Sequence, residues 1–202
     1  MILLEEITGL ILAGGRGMRM GQINKGLQQF NGQPLVAHIL SRLAPQVGSI
    51  IINANQDTEA YSKFHAKVFP DAFPGYAGPL AGLHSGLSHC QTPYLVSAPC
   101  DSPFLPTDLV ERLAYALQEQ SAQVAVVTTM EIIEGVNSIQ AQPVFSLVDC
   151  SVYNHLDNFL SSGGRKVSDW YASLRVVEVL FEDAASFRNI NTLADLQEYS
   201  DK

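Results

Sequence analysis

Short apolar runs alternate with longer stretches of helical periodicity along most of this chain. The runs are rich in Ile, Val and Leu and too short for helices, so they predict buried strands. They cover residues 7–11, 49–52, 67–69, 94–98, 124–129, 142–147 and 175–181. Helices are predicted over 35–43, around Tyr61 and Phe64, over 79–90, from 106 to 117, around 156–160 and from 193 to 196.

This alternation is typical of an α/β fold. We predict a three-layer, Rossmann-like, doubly wound sheet that is mostly parallel, with right-handed crossovers. A length of 202 residues fits a single domain over 1–202. The polar segment from Glu131 to Gln140, which contains Gly135 and Asn137, is the segment that we expect to form a mobile loop.

The first predicted strand ends in a glycine-rich loop, Leu12–Lys25, with the sequence LAGGRGMRMGQINK. Glycines allow backbone N–H groups to approach an anion closely, and Arg16, Arg19 and Lys25 add three cations beside them. The spacing fits neither a Walker A loop nor the dinucleotide fingerprint GxGxxG. The loop therefore indicates a polyphosphate site of another kind, although a plain turn with surface cations is the simpler alternative.

Three further polar residues follow predicted strands directly. Because the carboxyl ends of parallel strands meet at one edge of a sheet, we expect Asn53, Asp71 and Asp101 to face the glycine loop and Lys25 across one cleft. Asp101 offers a hard oxygen ligand for magnesium. Asp71 suits a ribose or a bridge to the metal, and Asn53 suits a base or sugar edge. For each of them, a structural role in a turn is the alternative.

Composition narrows the possible partners. A net charge of −8 argues against a nucleic-acid surface or an anionic membrane surface, and no apolar run approaches the ~20 residues of a membrane helix. The start of the chain does not resemble a secretory signal. The cysteines Cys90, Cys100 and Cys150 form no CxxC pair, which fits a reducing compartment. We therefore expect a cytoplasmic protein, with Cys100 as a small buried side chain.

Several motifs occur in one order along almost the whole chain. LAGGxGxRMGxxxKG at 12–26 is followed by INAN at 52–55, GPLAG at 78–82, PCDSP at 99–103 and NINT at 189–192. Together they resemble the bacterial molybdenum cofactor guanylyltransferases, which belong to the nucleotidyltransferase superfamily. One position departs from the family pattern, since Asn24 stands where an aspartate usually precedes the lysine.

The resemblance implies a fold of the nucleotide-diphospho-sugar transferase type. It also implies that GMP passes from GTP to the terminal phosphate of molybdopterin, with Mg²⁺ as cofactor and loss of pyrophosphate. Residues 1–130 would then bind the nucleotide, and residues 131–202 the pterin acceptor. By motif, the nucleotide site would comprise Leu12, Ala13, Gly14, Gly15, Lys25, Asn53, Asp71 and Asp101. Catalysis would involve Arg19, Lys25 and Asp101, and Asp101 would hold the metal. The residues toward the pterin would be Gln142, Arg165, Asn189 and Asn191.

Three alternatives remain open at this point. Related cytidylyltransferases typically carry LAAG and lack GPLAG, so Gly14 would leave room for a purine. Sugar-phosphate and methylerythritol-phosphate nucleotidyltransferases share the glycine loop. A non-catalytic nucleotide-binding module, such as a chaperone-like partner of molybdoenzymes, would bind GTP without releasing pyrophosphate. The resemblance also implies that the product is handed to partner proteins of this kind.

Overall fold

A computed structural model describes residues 1–15, 24–74, 78–133 and 135–200. Every strand and helix predicted from the apolar pattern is present near its predicted position. The strands are β1 (Ile7–Leu12), β2 (Gln29–Phe30), β3 (Gln33–Pro34), β4 (Ser49–Asn53), β5 (Lys67–Phe69), β6 (Tyr94–Pro99), β7 (Val124–Ile133), β8 (Val136–Asp149) and β9 (Val176–Phe181). The α-helices are α1 (Leu35–Leu43), α2 (Thr58–Ser62), α3 (Pro79–His89), α4 (Leu109–Glu119), α5 (Tyr153–Ser161), α6 (Val167–Tyr171) and α7 (Leu193–Ser200).

The main sheet has the strand order β5-β4-β1-β6-β8-β7-β9 within the described part of the chain. Neighbours in the first four positions are parallel, as are β7 and β9, whereas β8 runs antiparallel to both β6 and β7. The prediction of a doubly wound, mostly parallel sheet is therefore confirmed. The sequence predicts β8 in a second half of the sheet, but the strand lies between β6 and β7.

The side chains of β1 point alternately to the two faces of the sheet, and this alternation explains the three layers. Ile7 and Ile11 point to one face of the sheet and pack in a core with α1 and α4, while Leu10 and Leu12 point to the other face and pack with α3, α5 and α6. Side chains two residues apart share a face of a strand, so one central strand contributes to both cores. Among the described helices, none is long and apolar enough to cross a membrane.

The loop predicted over residues 131–140 is wrong. Strand β7 continues to Ile133 and β8 begins at Val136, so the segment forms an antiparallel ribbon in which Met130 pairs with Ile139. Gly135 has a φ of 82°, a conformation that glycine adopts without strain at such a turn. The ribbon extends beyond the neighbouring strands, so its side chains need not alternate between a core and solvent, and the periodicity that marks a strand is lost.

Helix α6 is a second element that the pattern did not predict. Its Trp170 is fully buried between α5 and the sheet, and its indole Nε1 donates a hydrogen bond to Nδ1 of His155 at 3.0 Å. The helix is only five residues long, too short to show a helical repeat of apolar positions. The single large aromatic side chain anchors it to the domain.

The buried side chain of Gln46 joins the end of α1 to the start of α4. Its Nε2 donates to the carbonyls of Arg42 and Pro106 at 2.8 and 2.9 Å, and its Oε1 accepts from the N–H of Val110 at 3.0 Å. Replacing an amide of this kind by an apolar group leaves buried backbone groups without partners. The contact therefore fixes how the two helices pack on this face of the sheet.

We expect Gln46→Met to lower the free energy of unfolding by about 2–4 kcal/mol, because the side chain keeps its volume but loses all three hydrogen bonds. Urea titration followed by circular dichroism would measure the change. The exposed Gln118 of α4 offers a matched control, since Gln118→Met removes no described side-chain hydrogen bond. Equal unfolding midpoints for the two variants would contradict the assignment.

Candidate active site

A cavity of about 790 Å³ lies beyond the carboxyl ends of β1, β4 and β6 and beside the start of α3. The register aligns these ends, because Leu12 pairs with both Asn53 and Pro99. Ten of the residues that the sequence assigned to the nucleotide, the metal or the pterin line this cavity, so the fold brings them together. They are Leu12, Ala13, Gly14, Gly15, Lys25, Asn53, Asp71, Asp101, Asn189 and Asn191.

Lys25 and Asp101 share the cleft, as expected. The Lys25 ammonium lies 3.3 Å from Oδ2 of Asp101 and donates a hydrogen bond of 2.7 Å to Oδ1 of Asn191. The Asp101 side chain is only 13% exposed. Burial raises the pKa of its carboxyl, and the nearby Lys25 opposes that shift without cancelling it. The carboxylate is therefore short of positive charge and would gain from a further cation.

The backbone next to Lys25 is fixed by contacts of the neighbouring residues Asn24 and Gly26. Gly26 packs against the hydroxyl of Tyr61 and the side chain of Cys100, so no side chain fits there. The Tyr61 hydroxyl donates to Oδ1 of Asn24 at 2.5 Å, and Nδ2 of Asn24 lies 3.3 Å from Oδ2 of Asp57. An aspartate at position 24 could accept from Tyr61 but could not donate to Asp57. Asparagine at this position therefore matches its surroundings, and no acidic role is needed to explain it.

A network of two asparagines and one aspartate forms the opposite end of the cavity. Asn53 and Asn55 donate to the two carboxylate oxygens of Asp71 at 3.0 and 2.8 Å, and the N–H of Asp71 donates to Oδ1 of Asn55. Nδ2 of Asn55 also donates to the carbonyl of Gly14 at 3.1 Å. The ends of β1, β4 and β5 are thereby linked through one amide side chain.

Two glycines make room for this network. A Cβ atom at Gly14 would lie 2.9 Å from Nδ2 of Asn55 and 3.0 Å from Oδ1 of Asn53, and one at Gly82 would lie 2.5 Å from the same Asn53 oxygen. Contacts this short force a neighbour to move. The space left by Gly14 is therefore taken by the asparagine amides, and any effect of this glycine on a bound base would be transmitted through them.

The segment Asn189–Asn191 closes the cavity from the C-terminal part of the chain. The N–H of Ile190 donates to the carbonyl of Asp101 at 2.7 Å, and the Ser102 hydroxyl donates to Oδ1 of Asn189. A single carboxylate oxygen of Asp195 accepts from the backbone N–H groups of Asn191 and Thr192, which fixes the segment at the start of α7. These contacts seat Asn191 beside Lys25.

Two of the assigned residues, Gln142 and Arg165, are described away from the cavity. Gln142 donates to the hydroxyl of Thr129 on the neighbouring strand. Arg165 donates to the carbonyls of Leu160 and Gly164, where it caps the end of α5. Arg19 lies outside the described residues, as does Arg16. The family resemblance suggested Gln142 and Arg165, and in the fold both side chains form hydrogen bonds with neighbouring groups instead.

Other residues of the site were not singled out as ligands from the sequence. Asn55 and Gly82 belong to quoted motifs, so a motif signal existed, but their contacts became apparent only in the fold. Val144 lies on the antiparallel strand β8, whose place beside β6 could not be read from the sequence. The sequence places Tyr61 only in a short predicted helix, and Cys100 is buried as predicted.

The donor set at Asp101 fits a magnesium ion that is carried by a substrate. Among the described residues, no group of three or more His, Cys, Asp or Glu side chains could form an all-protein metal site. Mg²⁺ is commonly held by one or two carboxylates together with substrate phosphates and water. The partly buried carboxylate of Asp101, at the edge of a cavity large enough for a nucleotide, matches that pattern.

Comparisons with known proteins agree with this geometry. Residues 9–176 match the model of the MobA-like NTP transferase domain. The chain is 54% identical to a molybdenum cofactor guanylyltransferase of Ralstonia nicotianae over the full length of both proteins. It is 53% identical to one of Cupriavidus necator, with 98% of each chain covered.

Solved structures share the fold at low identity. The molybdopterin-guanine dinucleotide biosynthesis protein A of Archaeoglobus fulgidus has a TM-score of 0.76 at 22% identity, covering 96% of this chain and 97% of that one. A 4-diphosphocytidyl-2C-methyl-D-erythritol synthase of Anaerococcus prevotii has a TM-score of 0.74 at 16% identity, covering 98% and 95%. On the strength of the full-length sequence relatives and the matched domain, this chain belongs to the molybdenum cofactor guanylyltransferase family.

Proposed function

We propose that this chain transfers GMP from GTP to the terminal phosphate of molybdopterin, with or without bound molybdenum. The products are the guanine dinucleotide form of the molybdenum cofactor and pyrophosphate. The observation that carries the proposal is that Lys25 and Asp101 face each other in the cavity that Gly14, Gly15 and the Asn53–Asp71 pair also line. The names of the full-length relatives support guanine as the base.

In this proposal the triphosphate lies along the glycine loop. Gly14 and Gly15 line the cavity, where their backbone N–H groups would donate to its oxygens, and Lys25 would turn from Asp101 and Asn191 toward the phosphates. Arg19, which the sequence assigns to the same task, lies outside the described residues. The nucleoside extends toward Asn53 and Asp71, and the pterin phosphate enters beside Asn189 and Asn191.

The chemistry requires positioning and charge stabilisation more than proton transfer. An oxygen of the acceptor phosphate is already anionic, and it attacks the α-phosphorus of GTP in line. A new P–O bond forms, the bond between the α-phosphorus and the bridging oxygen to the β-phosphate breaks, and pyrophosphate leaves with that electron pair. The reaction therefore needs neither a covalent enzyme intermediate nor a general base.

Asp101 is the residue that we assign to a magnesium ion bound with the triphosphate. Such an ion would offset negative charge on the phosphates as pyrophosphate leaves. The role of the chain itself is to hold the carboxylate in a buried position whose charge Lys25 alone does not satisfy. We also assign the protein to the cytoplasm, and we expect chaperone partners of molybdoenzymes to receive the product.

Substrate choice tests the proposed function directly. With molybdopterin and Mg²⁺, we expect pyrophosphate release from GTP at a kcat/KM at least about tenfold above that for CTP, because the base must fit one end of the cavity. Equal use of CTP would overturn the guanine assignment. Turnover with a sugar phosphate but not with molybdopterin would overturn the assignment of molybdopterin as the acceptor. GTP binding without pyrophosphate release would favour a non-catalytic module.

Removal of the Asp101 charge should reduce turnover far more than nucleotide binding. We expect Asp101→Asn to lower kcat by about 10²–10³-fold, since a charge-stabilising group of the transition state is lost. Pyrophosphate release measures kcat, and equilibrium dialysis of GTP without magnesium measures binding. Glu111→Gln on the exposed face of α4 removes the same charge elsewhere and should leave both unchanged. Near-normal turnover of Asp101→Asn would contradict the metal role.

A methyl group at Gly14 should act through the asparagines behind it. We expect Gly14→Ala to raise the KM for GTP by about tenfold, since the new Cβ displaces Asn55 and Asn53 from Asp71. Asn55→Ala should raise the KM for GTP in the same way. Asn55→Ala removes the side chain nearest to the new Cβ. Adding Gly14→Ala to Asn55→Ala should therefore raise the KM for GTP much less than Gly14→Ala does in the wild-type chain. Additive effects of the two substitutions would show that Gly14 acts on the nucleotide directly.

A further inference from the structure

Two cysteines that are 60 positions apart in sequence meet on one side of the fold. Sγ of Cys90 lies 3.5 Å from Sγ of Cys150, and both side chains are partly exposed. Cys90 follows the last residue of α3, and Cys150 follows the last residue of β8. The sequence has no CxxC motif, and a contact that arises from packing cannot be read from the spacing of the cysteines.

The backbone on either side of this thiol pair is tied to one short segment, residues 92–94. The N–H of Cys150 donates to the carbonyl of Pro93 at 2.9 Å, and Sγ of Cys90 lies 3.4 Å from the carbonyl oxygen of Thr92 and 3.7 Å from that of Tyr94. Neither sulfur can therefore drift far from the other. A disulfide has an S–S length of about 2.05 Å, so small side-chain rotations must close about 1.5 Å.

The two thiols are also unequal. The Cys150 thiol donates its hydrogen bond to the sulfur of Cys90, and this contact is the main cause that lowers the pKa of Cys90 to about 5. The hydroxyl of Thr92, 3.3 Å from the same sulfur, adds to the shift. The same contact raises the pKa of Cys150. Cys90 is therefore the sulfur that attacks an oxidant first, and Cys150 is placed to resolve the product.

We propose that Cys90 and Cys150 are a modification site, at which hydrogen peroxide or a similar peroxide forms a reversible intramolecular disulfide. The Cys90 thiolate attacks one peroxide oxygen, the O–O bond breaks, and Cys90 becomes a sulfenic acid while water leaves after protonation. The sulfur of Cys150 then attacks the sulfur of Cys90 and expels a second water. In balance, two thiols and one peroxide give one disulfide and two waters, with two electrons passing from the sulfurs to the peroxide.

The site lies at the end of the sheet away from the cavity. Tyr94 begins β6 beside the thiol pair, whereas the other end of that strand leads to Cys100 and Asp101. The disulfide would close a loop of 60 residues between Cys90 and Cys150 and would restrict the unfolded chain. We therefore expect the oxidised protein to have a melting temperature on the order of 5–10 °C above that of the reduced protein.

Thiol counting on the full chain tests the proposal without any nucleotide. The reduced protein should show three alkylatable thiols in denaturant, and the protein treated with a small excess of hydrogen peroxide should show one. Its intact mass should fall by two hydrogen atoms, and dithiothreitol should restore it. Peptide mapping should join the peptides of Cys90 and Cys150, with the buried Cys100 still alkylated as an internal control.

The variant Cys150→Ser distinguishes disulfide formation by this pair from non-specific oxidation of single cysteines. Serine keeps a hydrogen-bond donor near Cys90 but cannot resolve a sulfenic acid, so peroxide should carry Cys90 on to a sulfinic acid, two oxygen atoms heavier. The rise in melting temperature should be absent from this variant. Three alkylatable thiols after oxidation of the wild-type chain, or a disulfide only between two chains on a non-reducing gel, would overturn the proposal.

Discussion

The contact between the Lys25 ammonium and the Asp101 carboxylate is the interaction on which the site depends. It joins the glycine loop after β1 to the turn after β6, and Asn191 shares the ammonium. Partly buried ion pairs contribute little net stability, because the lost hydration of each charge offsets their attraction. In the function that we propose, such a pair would exchange partners, with a phosphate in place of Asp101 at Lys25 and a metal ion in place of Lys25 at Asp101.

Parallel strands explain why so much of the site could be predicted from sequence. Asn53 ends β4, Asp71 and Asp101 come two residues after the ends of β5 and β6, and one rule about strand ends places them together. The rule does not identify side chains that support the residues of the site without lining the cavity themselves. The amide of Asn55 and the hydroxyl of Tyr61 reach their partners through rotamers and packing that no periodicity encodes. The ribbon over 131–140 escaped prediction for a related reason, since an element without a buried face has no apolar repeat.

Space is the second constraint on this site. Gly14, Gly26 and Gly82 each stand where a Cβ would meet a polar or sulfur-bearing side chain of the same site. Their absent side chains let Asn53, Asn55 and Tyr61 pack directly against the loop and against α3. A glycine-rich motif in this fold therefore has two uses. It exposes backbone amides to phosphates, and it also admits the side chains that hold the strand ends in register with one another.

Charge shows why such a site would require further cations. The charged side chains that line the described part of the cavity are Lys25, Asp71 and Asp101, which together are net negative, in a chain whose overall net charge is −8. A triphosphate brought to these groups alone would be repelled. Backbone amides supply only partial charges, so the divalent ion that we propose at Asp101 would supply part of the missing positive charge. The same negative background would disfavour a free nucleotide and favour its magnesium complex, which couples binding of the metal to binding of the substrate.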